Sequence, residues 1–391
     1  MVLQLEPNKL FLLLFFTVIL SVELKGQNKD TGITDSLLFK GQISAVAHFN
    51  NGNELPLLLS GRYIPQINYG FSFQNNQLID FEYAANIYGN AQFKPFSDSD
   101  FSGKIKNYRA WARYSTRQFE LRAGLQKINF GSATMLRPLM WFDQIDPRDP
   151  LGLTDGVWGV LGRYYFLNNT NIWLWGLYGN NEPKGWEISG SGKNTIEPGG
   201  RLQVPVPKGE AALSFHYRKA DISELSEDFA DYTEVPEYRI GFDTKLDMVV
   251  GLWFEGSWIT KKEKIGTLTN QELINIGVDY TFGIGNGLYS VFEQLFFSYD
   301  ENPFAFENTY SFSLLNLSYP IGLFDNLNAI VYYNWTDNKA YNFINWQKQF
   351  DKITFYFMAY WNPEVYYIPT QNNEQNLYGG KGFQLMFVFN H

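Results

Sequence analysis

The segment Phe383–Phe389 places a large apolar side chain at every second position, and the sequence ends two residues later. Successive side chains of a strand point to opposite faces, so Phe383, Leu385, Phe387 and Phe389 would share one face. A bilayer accepts strands only where a closed barrel leaves no unpaired edge. The pattern predicts the last strand of a transmembrane β-barrel, which would also be the strand that the barrel-assembly machinery recognises.

The composition fits such a barrel. The 391 residues include 18% aromatic and 18% charged residues, whereas soluble domains carry about 25% charged residues. After residue 20, no apolar run reaches the roughly 18 residues that a membrane-spanning helix needs. The net charge of −9 argues against nucleic acid as a partner. The absence of cysteine excludes a disulfide framework and thiolate metal sites, and no cofactor is implied.

The N-terminus resembles an export signal. Lys9 precedes an apolar stretch from Leu10 to Leu20, which is too short to span a bilayer and long enough for a signal-peptide core. The small residue Gly26 offers a cleavage point. The sequence therefore predicts a signal peptide at residues 1–26, a short periplasmic tail at 27–36 and a barrel at 37–391, with an uncleaved amphipathic anchor as the alternative.

Alternating segments of aromatic and β-branched residues are separated by polar breaks that alternate in length. Short breaks such as 115–118 and 283–287 follow long ones such as 91–103, 131–156 and 180–199. Short periplasmic turns and longer external loops are typical of outer-membrane barrels. One alternating segment would also fit a soluble sandwich, but the whole series favours an all-β protein. We predict a transmembrane antiparallel β-barrel of about 18 strands, with 16 as the alternative, in a Gram-negative outer membrane.

Charged residues on the predicted inner face suggest a positive stripe. Arginine stays charged, and its forked donors match carboxylate, phosphate or sulfate. In a narrow aqueous channel, such a stripe would concentrate anionic solutes. Alternatively, these charges pair across neighbouring strands and only fill the lumen. The residues predicted to line the pore are Arg109, Arg113, Glu120, Arg122, Arg163, Arg239 and Asp243.

The long break at residues 131–156 is the most distinctive of the series. It is too apolar for a solvated loop and too charged for lipid, and it contains three prolines. Loops of this length are usually functional or well packed. We predict that it folds into the barrel and narrows the pore, with a cap on the rim as the alternative. The spacing of its aspartates does not match a calcium loop. The residues predicted at the constriction are Arg137, Asp143, Asp146, Arg148, Asp149 and Asp155.

One stretch of about forty residues carries a family resemblance. Gly124 and Gln126 lie in a predicted strand that leads to Gly131. The following residues of the motif are Arg137, Pro138, Asp143, Asp146, Pro147, Asp155, Gly156 and Val157. This stretch resembles the central segment of porin-like outer-membrane barrels of the Bacteroidetes type, and is more distantly similar to alginate-export channels. The resemblance implies an 18-stranded channel with an arginine-lined lumen, without implying alginate as the solute.

The function expected from these features is a channel for passive or facilitated diffusion of small hydrophilic solutes, including anions or saccharides. One alternative is a non-conducting scaffold, whose loops 180–199 and 362–380 would present Trp186, Tyr366 and Tyr367 to envelope partners.

A barrel hydrolase is a further alternative, for which His48 is the candidate catalytic residue, although no adjoining nucleophile is evident. The tryptophans expected in the membrane-interface belt are Trp173, Trp175, Trp253, Trp258 and Trp335.

Overall fold

The protein is a closed all-β barrel in a computed structural model that describes residues 34–96, 98–223, 225, 233–364 and 377–391. Its strands are β1 Thr34–Asn50, β2 Leu57–Phe73, β3 Gln77–Phe93, β4 Ser99–Ser115, β5 Phe119–Gln126, β6 Val157–Tyr165, β7 Asn171–Tyr178, β8 Ile196–Val206, β9 Gly209–Asp221, β10 Glu234–Asp247, β11 Gly251–Lys261, β12 Asn270–Phe282, β13 Leu288–Asp300, β14 Thr309–Pro320, β15 Asp325–Asn334, β16 Lys339–Gln349, β17 Ile353–Trp361 and β18 Lys381–Asn390. Each strand pairs antiparallel with its sequence neighbours, which confirms the predicted fold class and the count of 18.

The barrel closes between its first and last strands. Gln42 of β1 lies opposite Asn390 of β18. Next to this pair, Gly41 and His391 exchange two backbone hydrogen bonds, each with an N–O distance of 3.0 Å. Closure satisfies the backbone groups of both strands, as a strand in lipid requires. The predicted signal peptide, residues 1–26, lies outside the described residues, and residues 34–36 of the predicted tail belong to β1.

The outer face of β18 is the apolar face that the sequence predicts. Phe383, Leu385 and Phe387 are 43%, 38% and 43% exposed, whereas the alternate residues Met386 and Val388 are buried in the barrel. A continuous apolar exterior of this kind is solvated by acyl chains. The chain is therefore a multi-pass β-barrel of the bacterial outer membrane.

Three of the five tryptophans predicted for the interface belt instead face the barrel interior. Trp175 and Trp253 are 4% and 3% exposed, and Trp173 lies opposite the inward Arg201. The prediction was wrong for these three because the barrel interior is packed with side chains and loops, so large aromatic residues can be buried there. Trp335, by contrast, is exposed.

The two rims differ in loop length. One rim carries eight turns of two to five residues, and the other carries the long connections, up to the 30 residues of 127–156. One predicted long loop, 91–103, is shortened to 94–98, because β3 and β4 each extend to 17 residues. The helical segments within the described ranges are two 3-10 turns, Gln74–Asn76 and Gly266–Leu268. No helix in these ranges combines the length and apolar character needed to cross a bilayer.

Candidate functional site

The connection between β5 and β6, residues 127–156, folds into the barrel and is called here the inserted loop. Glu293 on the inner face of β13 holds its first half. The Glu293 carboxylate accepts backbone N–H hydrogen bonds from Thr134 at 2.8 Å, Met135 at 3.2 Å and Leu136 at 2.6 Å. The indole N–H of Trp253 donates to the same carboxylate at 3.1 Å. The inward position predicted for the loop is confirmed, and the rim cap is wrong.

Glu255 on β11 makes a second anchor. Its carboxylate accepts backbone N–H hydrogen bonds from Ala133 at 2.8 Å and Leu139 at 2.6 Å. Gly131 lies against it with φ = 110°, and a Cβ at this position would lie 2.4 Å from Glu255 Oε2. The close approach and the positive φ both require glycine here. This glycine of the sequence motif therefore brings the chain close enough to the buried carboxylate to bond with it.

Apolar side chains wedge the inserted loop between two walls of the barrel. Leu136 and Met140 belong to a buried cluster with the inward residues of β12 to β17, including Leu295 and Phe312. On the other side, Trp141 packs in a second cluster with inward residues of β6 and β7. Packing on two opposite faces leaves the loop little freedom to leave the lumen.

Within the inserted loop, Arg137 and Asp143 form a buried ion pair, with Nη1–Oδ1 at 3.0 Å. Arg137 Nη2 also donates to the carbonyl oxygen of Phe130 at 3.1 Å. Burial opposes the charge of Arg137, but the nearby carboxylate of Asp143, aided by those of Glu255 and Glu293, outweighs it and raises the pKa of this guanidinium. These two predicted constriction residues therefore stabilise the loop from inside instead of facing solvent.

The tip of the inserted loop carries three other predicted constriction residues. Arg148 pairs with Asp146 in a bidentate manner, with Nη2–Oδ2 at 2.6 Å and Nε–Oδ1 at 2.9 Å. The Arg148 guanidinium lies 4.4 Å from the ring centroid of Tyr378. Asp149 accepts the backbone N–H of Leu151 at 2.9 Å, and burial raises the pKa of its carboxyl group. The tip is thus a compact, internally bonded turn.

The last part of the inserted loop is held by β4. Arg109 Nη2 donates to the carbonyl oxygen of Thr154 at 3.0 Å, and Lys106 pairs with Asp155 at 2.6 Å. Arg109 is only 7% exposed. It therefore clamps the loop to the barrel wall and does not form part of a solvent-facing stripe.

A second connection, residues 179–195 between β7 and β8, also enters the barrel. Trp186 is buried and donates its indole N–H to the carbonyl oxygen of Arg137 at 2.8 Å. The prediction that Trp186 is exposed to envelope partners is therefore wrong. Tyr366 and Tyr367, predicted for the same role, lie outside the described residues.

Glu187 of this second connection joins a buried charge cluster on β9 to β11. It pairs with Arg239 at 2.6 Å and with Arg218 at 3.3 Å. Glu237 bonds to both arginines, and Lys261 approaches it at 3.4 Å. Because Arg239 has no exposed surface, its predicted place on the surface of the pore is wrong.

The remaining predicted stripe residues gather around one carboxylate near the short-turn rim. Glu120 pairs with Arg122 at 3.1 Å, Arg113 at 3.4 Å and Arg163 at 3.5 Å. Arg113 also pairs with Asp80 at 2.8 Å. This arginine cluster, as we call it, carries three positive charges against two negative ones, so its net charge is small. Cross-strand pairing, the alternative left open by the sequence, describes this part of the wall.

Asp243 is the last of the predicted pore-lining residues, and it too is buried. Arg201 on β8 pairs with it at 2.6 Å, and Ser132 of the inserted loop donates to it at 3.0 Å. Asp243 is therefore a third carboxylate on the wall that binds the loop.

The described residues line two cavities beside the tip of the inserted loop. One, of about 150 Å³, lies between the tip and β15 to β17. The other, of about 310 Å³, lies between the tip and the inner faces of β1 to β3 and β18. Pro147, Arg148 and Pro150 border the first cavity, whereas Asp149 and Leu151 border the second. The tip therefore lies between these two cavities.

His48, the candidate for catalysis, lies on the inner face of β1. Its Nε2 is 2.9 Å from the hydroxyl oxygen of Tyr360, and its ring also contacts Tyr378 edge-on. This is an aromatic packing arrangement at the wall of the lumen. Within the described ranges, no three His, Asp or Glu residues are arranged to hold a metal ion.

The main anchor, Glu293, was not predicted from the sequence, and neither was the attachment of the inward Glu255 to the loop. Both carboxylates lie in strands at positions that alternate with apolar outward residues, for example Phe292 beside Glu293. An acid at an inward position of an otherwise apolar strand is the signal that could have found them. The inserted loop that they bind is more than 100 residues away in sequence, and no sequence pattern pairs it with these two acids.

The structure explains the first two residues of the motif that carries the family resemblance, Gly124 and Gln126. Gly124 adopts φ = 121°, and a Cβ there would lie 2.2 Å from the carbonyl oxygen of Ala110. Gln126 is fully buried and donates to the carbonyl oxygens of Arg122 and Gly159 at 3.3 and 3.1 Å. These two residues fix the end of β5, from which the inserted loop leaves the wall.

Comparison with known proteins gives the fold. No protein-family model and no curated protein sequence matches the chain. The crystal structure of Acinetobacter baumannii OccAB1 aligns with 94% of this chain and 97% of its own, at 8% identity and a TM-score of 0.56. That of OccAB4 from the same organism aligns with 93% and 99%, at 10% identity and a TM-score of 0.55. The chain has the fold of these proteins, a closed antiparallel barrel of 18 strands.

Proposed function

We propose that the protein is a channel for passive or facilitated diffusion of small hydrophilic solutes across the outer membrane. The observation that carries this proposal is the inserted loop, which Glu255 and Glu293 anchor across the lumen. A plug that only fills space would need no open volume beside it, whereas the loop tip borders two cavities. The solute path follows these cavities, and the tip, residues 146–151, is the constriction.

A weak preference for anions is the finer part of the proposal. The arginine cluster has one more positive than negative charge. Arg62, which borders the larger cavity, lies 5.5 Å from the ring centroid of Tyr88, and its Nε has no hydrogen-bond partner among the described residues. Lys104 is exposed on the neighbouring β4. Because most arginines are paired, the selectivity expected is small, and a cation-selective reversal potential in a salt gradient would contradict it.

Single-channel recording in planar bilayers tests the proposal. We expect the full barrel to conduct, and deletion of residues 136–153 to raise its conductance, because the tip and the backbone hydrogen bonds of Leu136 and Leu139 are then lost. Removal of residues 302–305, from the exposed connection between β13 and β14 on the same rim, is the matched control and leaves conductance unchanged. A heat-dependent electrophoretic shift verifies that each variant is a folded barrel. A silent wild-type barrel contradicts the channel, and an unchanged deletion variant contradicts the constriction.

Partners follow from the same proposal. The apolar exterior contacts outer-membrane lipid, and β18, with its outward phenylalanines, is the strand we propose for recognition by the barrel-assembly machinery. Relationship to the Bacteroidetes porin type and to alginate-export channels stays a prediction from the motif between Leu121 and Val157. One observation in favour of a non-conducting scaffold no longer applies, since Trp186 is buried in the lumen and is not exposed to envelope partners.

A further inference from the structure

The smaller of the two cavities, about 150 Å³, has an unusual lining. Side-chain amides from two adjacent strands form one wall, and aromatic and apolar groups form the rest. In volume it would hold roughly five water molecules, at about 30 Å³ each. Its lining residues are Pro147, Arg148, Pro150, Asn326, Asn328, Ile330, Phe343, Asn345, Gln347, Tyr356 and Met358.

The amides are arranged as two cross-strand pairs. Asn328 of β15 lies opposite Asn345 of β16, and Asn326 lies opposite Gln347. The Oδ1 atoms of Asn328 and Asn345 have no hydrogen-bond partner in the part of the chain that the structure describes. Buried side-chain oxygens are nearly always hydrogen-bonded, so these two amide oxygens leave acceptor capacity beside the cavity that a water or a solute hydroxyl can meet.

The charge of this cavity is close to zero. Arg148 is its charged lining residue, and its guanidinium is paired with Asp146 through two short hydrogen bonds. The larger cavity differs, since Arg62 and Asp149 both border it. A carboxylate or phosphate entering the smaller cavity would lose water without gaining an unpaired cation. The cavity therefore favours an uncharged solute.

Amide groups and rings together match hydroxylated carbon skeletons. Each amide both donates and accepts a hydrogen bond, as each hydroxyl does. Phe343 and Tyr356 offer ring surfaces to the C–H groups between hydroxyls, and small-molecule sites commonly combine a few polar groups with such an apolar surface. We propose that the smaller cavity is a binding subsite for a neutral polyhydroxy solute of monosaccharide size. This inference rests on the proposed function, because the solute reaches the cavity along the channel.

Glucose-dependent block of the single-channel current tests the subsite. We expect glucose to interrupt the current of the wild-type barrel, and the anion gluconate to do so far less. The double variant N328L and N345L replaces both amides with apolar side chains of similar size. We expect it to raise the glucose concentration that gives half-maximal block roughly tenfold or more.

The matched control is N90L, which removes an amide from the larger cavity on β3 and keeps the glucose effect. If the leucine pair does not give a heat-modifiable barrel, the single variant N345A replaces it, with a weakened glucose block expected. A wild-type barrel that conducts without a glucose effect overturns the subsite and leaves the channel intact. Retained block in the amide variants, or equal block by gluconate, also overturns it. A barrel that does not conduct overturns the channel itself.

Discussion

Two carboxylates on the inner face of the same barrel behave in opposite ways. Glu293 is fully buried, and the donors that reach it include three backbone N–H groups of the inserted loop. Glu120 keeps 12% of its side chain exposed and is surrounded by Arg113, Arg122 and Arg163. The hydrogen-bonding partner determines the role of each carboxylate. A carboxylate bonded to backbone N–H groups attaches a segment of the chain to the barrel, whereas one bonded to arginines offsets their positive charge on the barrel wall.

The physical reason lies in the backbone of the inserted loop. Its N–H groups are not paired in a sheet, yet many are buried, and an unpaired buried donor costs free energy. An inward carboxylate can accept hydrogen bonds from several such N–H groups at once, and hydrogen bonds to charged groups are stronger than those between neutral groups. The arginine cluster does not bind unpaired backbone groups of the loop, since its members are partly solvated and pair with one another.

Glu293→Ala removes the main anchor of the inserted loop and has the largest expected effect. It leaves the N–H groups of Thr134, Met135 and Leu136 without their acceptor, so the docking of the inserted loop loses about 3 kcal/mol or more. We expect a lower melting temperature in detergent and a higher single-channel conductance. Glu210→Ala, an exposed inward acid of β9 that does not contact the loop, is the control. Wild-type values of both quantities in Glu293→Ala would show that the carboxylate is not an anchor.

Gly131→Ala tests the second anchor, Glu255. The added methyl group would lie 2.4 Å from the Glu255 carboxylate, on a backbone with φ = 110°. We expect a loss of about 2 kcal/mol in loop docking, with a melting temperature between those of Glu293→Ala and the wild type. Gly176→Ala is the matched control, since no atom lies within 4 Å of its added Cβ. Equal melting temperatures for the two alanine variants would contradict the role given to Gly131.

The double variant Arg122→Gln and Arg163→Gln has the smallest expected effect on stability. Both residues are partly exposed and share Glu120, so stability changes by less than about 1 kcal/mol. Selectivity should change instead, because two positive charges leave the wall while Glu120 and Asp80 remain. The reversal potential in a salt gradient moves toward cation preference. A reversal potential identical to that of the wild type would show that solutes do not sense this cluster.

The strands and turns could be predicted because both follow from local patterns. Alternation with a period of two sets which face of β18 meets lipid, and polar breaks set where hairpins turn. Individual loop lengths depend on pairing as well as on composition: β3 and β4 extend beyond the predicted strand ends, since their outer-rim residues pair across the hairpin. The inward fold of the loop predicted at residues 131–156 followed from a composition suited to neither water nor lipid.

The partners of the inward charges could not be predicted in the same way. Arg109, Arg239 and Asp243 have the expected register but are buried by loops that are distant in sequence, at Thr154, Glu187 and Ser132. An inward side chain faces open solvent or a folded loop depending on what fills the barrel, and alternation does not carry that information.

A closed, lipid-facing barrel of about 18 strands follows from the amino-acid sequence, because the period-two pattern and the backbone's need for hydrogen bonds in a bilayer are both local requirements. Which carboxylates hold the inserted loop, and where cavities remain, depend on the folded barrel, because those contacts join segments more than 100 residues apart.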